Sequence, residues 1–170
     1  MRTFLSIKIL DKLKDKIQLL QKRLLKDGIK LVEKNNLHIT LKFLGEINEA
    51  KLKQTKELLK NIKFKPFKIQ LKDIGVFPNK NYVRVIWIDC KSDELIYLGR
   101  QINTILKSLF RPETFTAHLT IARVRRKIDL KEFLEKECYI GEFECSSFEL
   151  MKSELTPNGP VYYVMQSYKK

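Results

Sequence analysis

Phe4, Leu5, Ile7 and Ile9 are separated by Ser6 and Lys8, a near period-two pattern that predicts a strand over Arg2 to Ile9. The period then lengthens: Leu13, Ile17, Leu20 and Leu24 recur at helical spacing, with Asp11 as the expected N-cap and Gly28 as the expected left-handed stop. Leu37 to Gly45 reads as a second strand. Asn48 is placed to cap a helix running to about Asn61, with Leu52, Leu58 and Leu59 inward. Phe67 to Phe77 and Tyr82 to Asp89 form a predicted antiparallel hairpin across Pro78, Asn79, Lys80 and Asn81. Ser92 or Asp93 caps a third helix whose inner face carries Leu95, Leu98, Ile102, Ile105 and Leu109, and which Pro112 cannot continue. His118 to Val124 is the next strand, and a short helix capped by Asp129 follows with Leu130, Phe133 and Leu134. Glu142 to Leu155 and Val161 to Tyr168 close the chain as a hairpin across the Thr156 to Pro160 turn.

This order repeats: an amphipathic helix, a strand beginning with His, a second helix, a hairpin. No Gly/Ser-rich linker separates the copies, so residues 1–170 are expected to form one bilobal unit, two lobes sharing an interface. The fold class predicted is α+β, with two pseudo-two-fold-related lobes of largely antiparallel sheet and flanking helices around a central cleft.

Composition adds a partner. The 34 Lys and Arg against 20 Asp and Glu give a net charge of +14, spread along the chain, and nucleic acid is the first candidate. A Lys-rich surface also follows from genome composition or a thermophilic host, and that alternative stays open at this level. No apolar run approaches the roughly 18 residues of a membrane span, and the amino terminus lacks the pattern of a secretory signal. A cytoplasmic protein without membrane contact is expected. Cys90, Cys138 and Cys145 are odd in number and show no CxxC spacing, so reduced structural thiols are expected. With 2 histidines in the chain, neither a metal site nor another cofactor is expected.

Both histidines fall in one pattern, His38-Ile39-Thr40-Leu41 and His118-Leu119-Thr120-Ile121. In a strand, positions i and i+2 share a face, so each copy presents an imidazole beside a hydroxyl while Ile39, Leu41, Leu119 and Ile121 anchor the other face. Two such pairs facing each other leave room for one tetrahedral group. Opposed imidazoles suit in-line displacement at phosphorus, where one side needs a base and the other an acid. An imidazole pKa near 6.5 lets one ring be neutral and the other protonated. Thr40 and Thr120 are placed to donate to the non-bridging oxygens. By alternation Lys42 shares the face of His38 and Thr40, as added cleft charge or as a solvated lysine.

These residues carry a resemblance that extends along the chain: Arg2-Thr3-Phe4, Asn36 to Gly45, Gly75-Val76-Phe77-Pro78 with Val83 to Trp87, Phe115 to Arg123, and Ser153 to Tyr162. Together they resemble the two-histidine phosphoesterase superfamily, and specifically the RNA 2′,3′-cyclic phosphodiesterases also called 2′-5′ RNA ligases. The resemblance implies both motifs in a basic cleft and hydrolysis of RNA 2′,3′-cyclic phosphate to a 2′-phosphomonoester. It implies His38 as proton donor to the leaving 3′ oxygen and His118 as the acceptor that activates water. The substrate implied is an RNA end, tRNA fragments among them, handled by a monomer. Arg123 stands where the family often has Arg and is a candidate phosphate contact, although alternation from His118 puts it on the opposite face. Phe77 is a candidate for stacking on a base, whereas Trp87 reads as packing. Ala117 departs from the family, which usually has Pro before the second His. Two other functions remain: joining of tRNA halves through a 2′-5′ linkage, and RNA binding without turnover.

Overall fold

A computed structural model describes residues 1–170. Its strands are β1 (Arg2–Lys8), β2 (Ile29–Leu31), β3 (His38–Glu46), β4 (Phe67–Asn79), β5 (Tyr82–Lys91), β6 (His118–Val124), β7 (Tyr139–Cys145), β8 (Ser147–Thr156) and β9 (Gly159–Lys169). Its helices are α1 (Asp11–Gln21), α2 (Glu49–Leu59), α3 (Asp93–Ile105) and α4 (Lys131–Leu134). The strands form two antiparallel sheets, β3-β1-β8-β9 and β2-β6-β5-β4-β7.

The bilobal α+β expectation holds, but the lobes are not the two halves of the chain. The early hairpin β4–β5 pairs with β6 in the second sheet, and the closing hairpin β8–β9 pairs with β1 in the first. Superposing the orders matches β3-β1-β8-β9 to β6-β5-β4-β7, and β2 is an extra edge strand beside β6. Exchanged hairpins build each sheet from both halves of the chain. A continuous apolar core runs through both lobes, from Leu5, Ile7 and Ile39 to Ile86, Leu119 and Ile121.

Local chemistry explains most boundaries. Asn48 and Ser92 cap α2 and α3, their side-chain oxygens accepting from the Lys51 and Leu95 N–H groups. Asp11 is not a cap: Leu10 holds that position, and Asp11 is the first helical residue, its carboxylate at the positive end of the helix dipole. Nor does Gly28 end α1. A 3-10 turn over Lys22–Leu24 intervenes, and Gly28, at φ +86°, instead bends the chain into β2, a strand the periodicity did not reveal. α3 stops at Ile105, ahead of Pro112, and Leu106 takes the buried place expected for Leu109. Asp129 accepts from the Lys131 N–H at 3.0 Å but sits one residue before the cap of α4.

The run Glu142 to Leu155 is broken. β7 ends at Cys145 in the second sheet and β8 begins at Ser147 in the first, so Ser146 is the crossing point between lobes. The three cysteines are free and buried, as expected, and burial raises each thiol pKa, that of Cys145 to about 11.

Candidate active site

His38 and His118 are the first residues of β3 and β6, and these two strands, one from each sheet, touch without pairing. Between them lies a cleft of about 630 Å³ lined by His38, Thr40, His118, Thr120, Arg123 and Phe77, but not by Lys42.

Each imidazole is oriented in the same way. His38 Nδ1 lies 2.7 Å from the Asn36 carbonyl, and His118 Nδ1 lies 2.7 Å from the Thr116 carbonyl. A carbonyl only accepts, so both Nδ1 atoms carry the hydrogen and donate it, which leaves Nε2 of each ring for chemistry. His38 Nε2 is 2.8 Å from Thr40 Oγ1, and in the neutral ring the hydroxyl donates to it. Thus the strand spacing that put His and Thr on one face also brings them into contact.

Aromatic rings hold both imidazoles. Phe4 and Tyr162 flank His38, with centroids 5.1 and 5.4 Å away and Tyr162 edge-on. Phe77 and Trp87 flank His118 at 5.1 and 5.9 Å. Trp87 reaches this place because its partner on β4 is Gly75: a Cβ there would come within 2.1 Å of the indole ring. Phe77 therefore packs against the imidazole itself. The structure also brings Phe4 and Tyr162 to the site, which sequence reading did not single out, since aromatics within strands read first as packing.

The two histidines differ in environment. Burial lowers the pKa of His38 below its ordinary value; the charges of Lys14 and His118 add to this, and the hydrogen bond to Asn36 opposes it. Burial likewise raises the pKa of the Tyr162 phenol, against the nearby positive charges of Arg123 and Arg2.

Arg123 lies in the cleft although strict alternation points it away. Trp87 pairs with Thr120 and Ile86 with Ala122, so Ile121 is an extra residue, a β-bulge that reverses the phase of the strand beyond it. Ile121 and Ala122 are consequently both buried, and Arg123 returns to the face of His118. Buried Gln21 holds the bulge: its Nε2 donates to the Ile121 and Val32 carbonyls, each at 2.8 Å, and the Val32 N–H donates to Ile121 as well.

The same bulge occurs after the first motif. Ser6 pairs with Thr40 and Leu5 with Lys42, leaving Leu41 as the extra residue. Lys42 is therefore neither in the cleft nor solvated; it is 3% exposed on the opposite face, and Phe43 takes the cleft position equivalent to Arg123. Lys42 Nζ donates to Asn103 Oδ1 at 2.7 Å, the Arg111 carbonyl at 3.1 Å and Glu113 Oε1 at 3.2 Å. Ala117 is buried, and its carbonyl accepts from the Cys90 N–H at 3.2 Å, so a ladder bond holds the approach to His118 where the family usually has proline. No group of three or more His, Cys, Asp or Glu side chains has the spacing to hold a metal ion.

Two duplicated strands that each aim an imidazole and a hydroxyl into one basic cleft define a two-histidine phosphoesterase. Comparison with known proteins agrees. The LigT-like phosphoesterase family model matches residues 7–87. An RNA 2′,3′-cyclic phosphodiesterase of Methanocaldococcus jannaschii is 46% identical, the match covering 99% of this chain and 100% of that protein. One from Archaeoglobus fulgidus is 41% identical over 95% of this chain and 96% of that one. A crystal structure of a Thermus thermophilus protein superposes with a TM-score of 0.86 at 27% identity, covering 99% of this chain and 97% of that one. Escherichia coli LigT complexed with 3′-AMP shares the fold, with a TM-score of 0.84 at 20% identity over 99% and 97% of the two chains. The chain belongs to the LigT-like phosphoesterase family.

Proposed function

We propose that this protein hydrolyses RNA 2′,3′-cyclic phosphate ends to 2′-phosphomonoesters by general acid–base catalysis. The observation that carries this reading is the matched pair of imidazoles, each tied at Nδ1 to a carbonyl two residues upstream and turned by Nε2 toward one cleft. The curated relatives bearing the name RNA 2′,3′-cyclic phosphodiesterase support the substrate.

In this mechanism His118 Nε2 takes a proton from a water molecule as its oxygen bonds to phosphorus. The bond from phosphorus to the 3′ oxygen breaks, and His38 Nε2–H protonates that oxygen, yielding a 3′-hydroxyl and a 2′-phosphate. Thr40 and Thr120 donate to the non-bridging oxygens, where charge builds in the transition state. Thr40 leaves His38 to do so, which frees the Nε2 that must carry the donated proton. Arg123 adds a forked cationic contact to phosphate, and Phe77 offers an aromatic surface at the cleft wall to a base. Both motifs come from one chain, so a monomer carries a complete cleft. The expected substrates are RNA fragments with cyclic ends, tRNA fragments among them, and three free thiols suit a reducing cytoplasm.

The test is hydrolysis of a short RNA with a 2′,3′-cyclic phosphate end in EDTA by wild type, His38→Ala and His118→Ala, resolving 2′- from 3′-phosphate. The expected result is 2′-phosphate formation lost in both variants. Bound RNA with no product from wild type would replace catalysis by binding, and joined ends from a 5′-hydroxyl partner would show ligation.

A further inference from the structure

The cleft extends past the two motifs to a group of cations, two of which, Lys30 and Arg125, the chemistry above does not use. Lys30 lies directly opposite Arg123 in the β2–β6 ladder, and Arg125 follows Arg123 by two positions, its N–H donating to the Gly28 carbonyl and so prolonging the pairing. All three side chains are exposed and line the same cleft as His118 and Thr120. Like charges directly opposite on neighbouring strands destabilise a sheet, and a carboxylate would relieve the cost. None does: Glu33 also lines the cleft, yet none of the three cations lies within ion-pair distance of an acidic group. The adjacent Arg126, which does not line the cleft, is paired with Asp27 at 3.1 Å.

Resting on the reading of the site as a cyclic phosphodiesterase, we propose that Lys30 and Arg125, next to Arg123, form a second phosphate site, which holds the phosphodiesters on the 5′ side of the terminal cyclic phosphate. The cyclic phosphate is the 3′ end of its strand, so every other phosphate lies on that side. Along β6 and the residue that prolongs its pairing, Thr120, Arg123 and Arg125 share one face only because of the bulge at Ile121. At about 3.3 Å per residue this places the guanidinium stems roughly 10 and 16 Å beyond the motif threonine, a track of cations leading away from the reacting group. Backbone contacts of this kind read charge and not sequence, so they recognise chain length without base preference.

The test compares kcat/KM for a mononucleotide 2′,3′-cyclic phosphate with that for a trinucleotide ending in one, in wild type and in the Lys30→Ala/Arg125→Ala double variant. Wild type is expected to favour the trinucleotide at least ~10-fold, mainly through KM, and the variant to keep less than about threefold of that preference. The salt dependence of trinucleotide binding should also lose about 1 unit of log–log slope in the variant. Equal use of both substrates by wild type, or an undiminished preference in the variant, would overturn the second site. Should wild type turn over neither substrate, the catalytic reading fails alone; the second site is then judged by binding of a trinucleotide 3′-phosphate against a mononucleotide 3′-phosphate, with the same length preference and the same loss expected.

Discussion

Lys42 Nζ lies 2.7 Å from Asn103 Oδ1, and through this contact the strand of the first motif grips the segment that leads into the second. Asn103 Oδ1 also accepts from the Glu113 N–H, and Lys42 reaches Glu113 and the Arg111 carbonyl. The same segment is seated by Phe115 on α3, where a Cβ at Gly99 would come within 2.3 Å of the ring. It ends at Thr116, whose carbonyl orients His118.

Lys42→Met keeps the length of the stem but strands Asn103 and the Arg111 carbonyl. The expected cost is about 2–3 kcal/mol, read as a drop in Tm of roughly 5–10 °C. Because Thr116 moves with the segment, kcat should fall by about tenfold while KM changes little. Full activity at an unchanged Tm would show that the lysine positions nothing.

Replacing either histidine removes an acid or a base. His38→Ala and His118→Ala should each lower the rate at least ~100-fold, and Thr40→Ala about 10- to 100-fold, with circular dichroism confirming the fold. The pH profile of kcat/KM should be bell-shaped, since one imidazole must be protonated and the other neutral. A flat profile between pH 5 and 9 with chemistry rate-limiting would refute the pairing.

His38 connects pH to both stability and binding. Burial depresses its pKa in the folded protein, while in the unfolded chain the ring titrates near 6.5. As pH falls below 6.5 the unfolded chain takes up the proton first, so stability present at higher pH is lost until the folded ring titrates too. His38→Gln should flatten this part of a Tm-against-pH curve. A bound anion acts in the opposite sense by favouring the imidazolium. Inorganic phosphate should therefore raise the His38 midpoint in an NMR titration, and an unmoved midpoint would separate the imidazole from the anion site.

Gln21 supports the bulge from outside the cleft. In Gln21→Leu the Ile121 carbonyl keeps only the Val32 N–H, and the expected cost is about 1–3 kcal/mol. KM for cyclic-phosphate RNA should rise more than kcat falls, because Arg123 is aimed by the bulge whereas His118 precedes it. Equal loss of both parameters would place the effect on the whole strand.

The amino-acid sequence by itself determined the chemistry and most of the elements. His38, Thr40, His118 and Thr120 could be paired on paper because strand alternation is local and begins at the histidine, and the caps Asn48 and Ser92 were legible because a cap bonds within three residues of itself. Tertiary structure decided what depends on distant partners. Which hairpin joins which sheet is set by non-local pairing, β8 against β1 and β5 against β6, so the repeated order of elements could not show that β4–β5 and β8–β9 are exchanged. The bulges at Leu41 and Ile121 were equally hidden, since an unpaired residue exists only relative to a neighbouring strand, and a one-residue shift sends every later side chain to the other face. That single shift buries Lys42 as a strut beneath one motif and delivers Arg123 to the cleft beside the other.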